Sequence, residues 1–105
     1  MEDLELVKLF CEGDKDAFEE LFVRYKDKVY ATCYRMLGDE QSAIDLAQEV
    51  FVKVYSELRS FRRNSAFSTW IYRIAVNMAI NKINEMKRRE HIIETKWLPR
   101  QQQSI

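Results

Sequence analysis

Residues 60–81, reading SFRRNSAFSTWIYRIAVNMAIN, hold the densest set of side chains in this chain that could do recognition chemistry. Phe61 and Tyr72 offer rings, Arg62, Arg63 and Arg73 offer cations, and Asn77 offers an amide. Rings stack on bases, cations hold phosphates, and amides can read a base edge, so the set matches the needs of a single-stranded nucleic acid. A plainer reading stands beside it. Phe67, Ile71, Ile74 and Met78 recur at helical spacing and are the core face of an amphipathic helix. On that reading Phe61 is a lid on the core and Tyr72 a half-buried surface ring. It leaves the arginines next to Phe61 unexplained.

A second polar group is Asp45, Gln48 and Glu49, within about one helical turn, with Lys53 and Tyr55 at its edge. By residue type alone this is a solvated helix face. The carboxylate pairs Glu19–Glu20 and Asp39–Glu40 fall near helix starts, where negative charge complements the helix dipole, and read as capping charges. Catalytic chemistry has little to work with. His91 is the one histidine, Cys11 and Cys33 lack the close spacing of a metal or redox pair, and there is no glycine-rich phosphate loop. The expectation is a chain that is not an enzyme and takes no metal or cofactor, with free thiols suited to a reducing, cytoplasmic compartment.

Formal net charge is zero, with 17 basic and 17 acidic residues, but the charges are segregated. Residues 1–58 contain 7 Lys/Arg against 14 Asp/Glu, while residues 59–105 contain 10 against 3. Two oppositely charged halves suit two different partners, the basic half facing a polyanion, or two solvated ends that attract each other.

The elements that must carry these groups are helical. Two Gly, one Pro and no alternating β-branched run in 105 residues predict an all-α domain. A short helix is expected over 3–12, carrying apolar Leu4, Val7, Leu9 and Phe10, and ended by Gly13. Asp14 caps a second helix, whose stripe of Phe18, Leu21, Phe22, Tyr25, Val29, Cys33 and Met36 is expected to be buried. A third helix spans about 40–58, burying Ala43, Ile44, Ala47, Val50, Phe51, Val54 and Leu58. A loop follows over 59–65, with Asn64–Ser65 as the next cap. A fourth helix covers about 66–89, with Arg73, Asn77, Asn81, Asn84 and Arg88 along one face. Asn is a weak helix former, costing roughly a few tenths of a kcal/mol per position, so three on one face call for a reason. The expected fold is a compact bundle of three long helices plus a short N-terminal one, with the domain at 1–92 and a linker beginning at 93–105. No apolar run is long enough to enter a membrane as a helix.

Two blocks of this sequence resemble the small extracytoplasmic-function group of bacterial sigma-70 factors. One is Asp45, Gln48, Glu49, Val50, Phe51, Lys53 and Tyr55; the other is Ser60, Phe61, then Phe67 to Ala75 and Asn77. The resemblance covers about residues 14–90. It implies the promoter-melting and core-docking domain, region 2, of such a factor. It further implies that Asp45, Gln48 and Glu49, with Lys53 peripheral, dock on the β′ clamp helices of core RNA polymerase. Ser60, Phe61, Tyr72 and Asn77 would hold a flipped base of the −10 non-template strand, with Arg62, Arg63 and Arg73 on phosphates. An anti-sigma factor is an expected partner, and a second helical domain binding the −35 element would follow the linker. Ile71 and Val76 depart slightly from the family pattern, where Leu and Arg are commoner. Two alternatives stay open: a protein-interaction bundle, and a regulator that reads duplex DNA. The latter would show a helix-turn-helix with a short turn, and the loop here is too long for one.

Overall fold

The computed structural model describes the backbone of residues 1–62 and 64–97, with side chains through His91. Four α-helices follow in order, α1 (Asp3–Cys11), α2 (Lys15–Leu37), α3 (Glu40–Glu57) and α4 (Phe67–Trp97), with a 3-10 turn at Leu58–Ser60 after α3. No strand occurs among the described residues, as the sequence predicts.

Helix boundaries follow local chemistry. The Asp14 carboxylate accepts from the Asp16 backbone N–H at 3.0 Å and starts α2. Gly38, at φ 72°, closes α2 in the left-handed region, where a side chain would be strained. Asp39 then caps α3, accepting from the Ser42 N–H at 2.8 Å, so α2 and α3 are antiparallel neighbours joined by two residues. Those hydrogen bonds also hold the Asp39 carboxyl below its usual pKa, the Ser42 side chain contributing most and its backbone N–H next.

The core is one cluster contributed by all four helices and the 3-10 turn, including Leu6, Phe10, Leu21, Val29, Cys33, Val50, Leu58, Phe67 and Ala75. Burying a large aliphatic or aromatic side chain contributes roughly 1.5–3 kcal/mol, so this cluster supplies the dominant favourable term. In α4 the buried positions are Phe67, Ile71, Ala75 and Ala79, four residues apart. Small Ala75 and Ala79 allow α2 and α3 to approach closely.

Several expectations are corrected. In α1 the buried residues are Leu6, Val7 and Phe10, and Leu4 faces solvent at the end of the helix. Phe22 was expected in the α2 stripe but is 38% exposed, because the stripe turns around the helix and Thr32 and Cys33 finish it. Leu46 is buried in α3, while Ile44 and Ala47 are only half-buried. The expected loop begins as a helical turn in which the Ser60 hydroxyl donates to the Glu57 carbonyl at 2.7 Å. Helix α4 starts at Phe67, one residue past the expected start, which puts Ala66 rather than Asn64–Ser65 before it. It also runs on to Trp97, eight residues beyond its expected end and across the expected boundary at 92. Arg63, the side chains from Ile92 onward and the tail from Leu98 lie outside the described residues.

Helix α1 is held to α2 by polar contacts. Arg24 Nη1 pairs with Asp3 Oδ1 at 2.7 Å, and the Tyr25 hydroxyl donates to Asp3 Oδ2. Burial, then the hydrogen bond to Asp3, pushes the Tyr25 hydroxyl up to about 12. Arg59, in the 3-10 turn, sets its guanidinium 4.8 Å from the Phe10 ring centroid and ties that turn back to α1.

Candidate nucleic-acid interface and docking face

The loop between α3 and α4 is anchored by rings. Phe61 stands 5.0 Å from Trp70 and 5.9 Å from Phe67, centroid to centroid, and Phe67 meets Tyr25 of α2 at 5.3 Å. Phe61 is only 8% exposed. The expectation of an open stacking ring at this position is therefore not met: Phe61 is the lid on the core, because packing against the rings of Phe67 and Trp70 removes it from water. Arg62 is exposed beside it. Ser60 is exposed, but its hydroxyl proton is used in shaping the turn.

Arg73, Asn77, Asn81, Asn84 and Arg88 are all exposed and form the expected strip along α4. At about 100° per residue these five fall within an arc of about 80°. Arg73 and Asn77 have no hydrogen-bond or ion-pair partner among the described residues, so their donors face outward. Nearer the C-terminus Arg89 pairs with Glu85 at 2.6 Å. Tyr72 does not join the strip. It is 53% exposed and sits on the opposite flank, facing α2.

There it borders a groove of about 310 Å³ between α2 and α4, lined by Tyr25, Lys28, Val29, Thr32, Ser68, Thr69, Ile71, Tyr72 and Ala75. The sequence reading did not single out Lys28, Thr32, Ser68 or Thr69 for binding. The signal for Ser68 and Thr69 was their place in the first turn of α4, but Lys28 and Thr32 come from a distant helix that only tertiary packing brings alongside.

On the other side of the bundle, Asp45, Gln48, Glu49 and Lys53 are exposed on α3. Asp45 accepts a hydrogen bond from Gln41 at 3.1 Å, and Lys53 lies 4.0 Å from Glu57, both contacts within the helix. The acidic positions border Val52, which is 71% exposed, and an open apolar hollow formed by Phe18, Phe22, Gln48, Phe51, Val52 and Tyr55. The rings there are braced by edge contacts, Phe22 with Phe51 at 4.8 Å and Phe18 with Tyr55 at 5.0 Å. An apolar centre beside carboxylates and an amide is the anatomy of a protein interface. Sequence reasoning found the carboxylates and missed the apolar half, because Phe22 and Phe51 also fit a buried stripe.

The profile of sigma-70 region 2 matches residues 21–89. The chain belongs to this family. Among curated relatives, it is 48% identical over 81 residues to the ECF RNA polymerase sigma factor SigW of Bacillus subtilis strain 168, covering 77% of this chain and 43% of that protein. It is 46% identical over 89 residues to the ECF RNA polymerase sigma-E factor of Escherichia coli K12, covering 83% of this chain and 45% of that protein. The chain thus spans less than half the length of these relatives. A solved NMR structure, an engineered region 2 of sigmaE in complex with GTAAAA, superposes with a TM-score of 0.78 at 43% identity, covering 85% of this chain and 93% of that one. The sigma-70 region 2 fold, of the ECF type, is therefore the frame that carries both faces. No described helix is long and apolar enough to cross a membrane.

Proposed function

We propose that this region 2 domain docks on the β′ clamp helices of core RNA polymerase and captures the −10 non-template strand, directing transcription initiation as part of an ECF sigma factor. The observation that carries the reading is the separation of two exposed faces on one rigid bundle: acidic and apolar on α3, cationic and amide-rich on α4. Asp45, Gln48 and Glu49 pair with basic groups of the partner helices, while Val52 and Phe22 fill the apolar centre, with Lys53 at the rim. On the DNA side, Arg62, Arg63 and Arg73 meet phosphates, and Asn77 reads the edge of a flipped base. Ser60 and Phe61 hold the shape of the loop beside that base. Tyr72 adds ring surface on the far flank of α4. Unstacking a base costs roughly a few kcal/mol, which hydrogen bonds and stacking offset. The sigmaE region 2 relative solved in complex with GTAAAA supports the single-strand part of this reading. An anti-sigma factor would act by covering these same faces.

The test is co-purification with bacterial core RNA polymerase, wild type beside the variant Asp45→Ala with Glu49→Ala. The expected result is retention of the wild type and loss of the variant, both chains keeping the same helix content. Equal retention of both would remove the docking face from α3.

A further inference from the structure

The loop between α3 and α4 is held at both ends by α1, a helix that contributes to neither proposed face. At the loop's start, Arg59 of the 3-10 turn sets its guanidinium 4.8 Å from the ring centroid of Phe10, which is buried in the core. At its end the connection is indirect. Asp3 Oδ2 accepts from the Tyr25 hydroxyl, the Tyr25 ring meets Phe67 at 5.3 Å, and Phe67 is the first residue of α4. Ser68, the next residue, lies against the same Tyr25 hydroxyl. Phe67 in turn carries Phe61 of the loop at 5.9 Å. The Asp3 carboxylate is itself fixed by Arg24 at 2.7 Å, and 23% of its side chain is exposed. A hydrogen bond to an ionised carboxylate is about twice as strong as one between neutral groups, so this is the firmest polar tie α1 makes.

Asp3 carries a negative charge, so its direct effect on a polyanion would be repulsion. Its place at the head of this chain of contacts gives it a second effect of opposite sign. We propose that Asp3 is a positioning residue for single-strand capture: through Tyr25 and Phe67 it fixes the start of α4 and the loop that presents Arg62, while touching no DNA itself. Helix α1 is then a clasp across the two ends of the loop. Without the Asp3 contact the hydroxyl end of Tyr25 is released, and Phe67 and Phe61 gain room to shift. Arg62 and Arg73 stand on either side of Phe67 in the chain, so a tilt at Phe67 moves the two cations relative to each other. The proposal rests on the single-strand reading above.

The test pairs DNA affinity with local hydrogen exchange. Binding of a fluorescent single strand, GTAAAA between short thymidine runs, is measured by anisotropy for the wild type, Asp3→Ala, Tyr25→Phe, the double variant and Glu5→Ala. Glu5→Ala removes the same charge from an exposed position of the same helix. Asp3→Ala is expected to bind about 5-fold or more weakly, the lower end of coupling between separate sites, while Glu5→Ala binds as well as the wild type or better. Tyr25→Phe keeps the ring and loses the hydroxyl, so Asp3→Ala should cost little further in its background. Amide exchange in Asp3→Ala is expected to quicken over residues 58–68 and to stay unchanged in the middle of α2 and α3. Wild-type affinity in Asp3→Ala, or an equal loss in both Tyr25 backgrounds, overturns the proposal. So does exchange that stays unchanged at the loop, or that quickens equally throughout the bundle and so marks Asp3 as a contributor to stability alone. No binding of the oligonucleotide by the wild type overturns the proposal and the single-strand reading together.

Discussion

The ring of Phe61 lies 5.0 Å from that of Trp70, tilted by 40°, and this contact joins the loop between α3 and α4 to the core. Phe61 also meets Phe67 edge-on, and Phe67 meets Tyr25, so the loop's position is transmitted through three rings into α2. A loop anchored in this way presents Arg62 from a fixed base. Truncating the anchor should therefore cost stability first. Phe61→Ala is expected to lower unfolding stability by about 3 kcal/mol, the lower part of the range for a buried Phe→Ala, read as a fall in urea midpoint at constant slope. An unchanged midpoint with lost DNA affinity would mean the ring swings out to stack.

Asn77 is exposed, and its amide carries no structural hydrogen bond among the described residues. Asn77→Ala should leave stability equal or raise it by a few tenths of a kcal/mol, since Ala is the better helix former. Single-strand affinity should fall by about 5- to 10-fold, the worth of one net hydrogen bond. Parallel thermal melts and anisotropy titrations would show whether the two effects separate. A joint loss of both would contradict a surface role.

Tyr25 makes the fold sensitive to alkali. Its hydroxyl ionises near 12 in the folded chain, against about 10 when exposed, because the folded state favours the protonated form. Between these values the unfolded chain has released the proton and the folded chain still holds it. The resulting stabilisation is complete below about pH 10 and is lost as pH rises towards 12. The stability difference between wild type and Tyr25→Phe should therefore narrow across that window, measured by urea unfolding at several pH values. A difference independent of pH would refute the linkage.

The two thiols differ in access. Cys11 is exposed at the end of α1, whereas Cys33 is buried and its thiol is pushed up by burial. A thiol reagent at pH 8 should modify one cysteine rapidly in the native chain and both in denaturant. Fast modification of both would show that α2 opens readily from the core around Cys33.

The sequence by itself determined the helical fold and its punctuation. Asp14, Gly38 and Asp39 act through hydrogen bonds and backbone angles within a few residues, so their effects are local and were readable directly. The same holds for the strip from Arg73 to Arg88, since helical periodicity alone sets its alignment. Side-chain type could not say which apolar residues would be covered. Phe61 lies between Ser60 and Arg62 and Phe22 between Leu21 and Val23, yet Phe61 is buried and Phe22 is 38% exposed. That outcome depends on which helix lies opposite, a relation between residues far apart in the chain. Tertiary packing likewise decided that Lys28 and Thr32 would stand across a groove from Tyr72. Helical periodicity alone sets Tyr72 and Asn77 about 140° apart around α4; only the approach of α2 gives Tyr72 a groove to border.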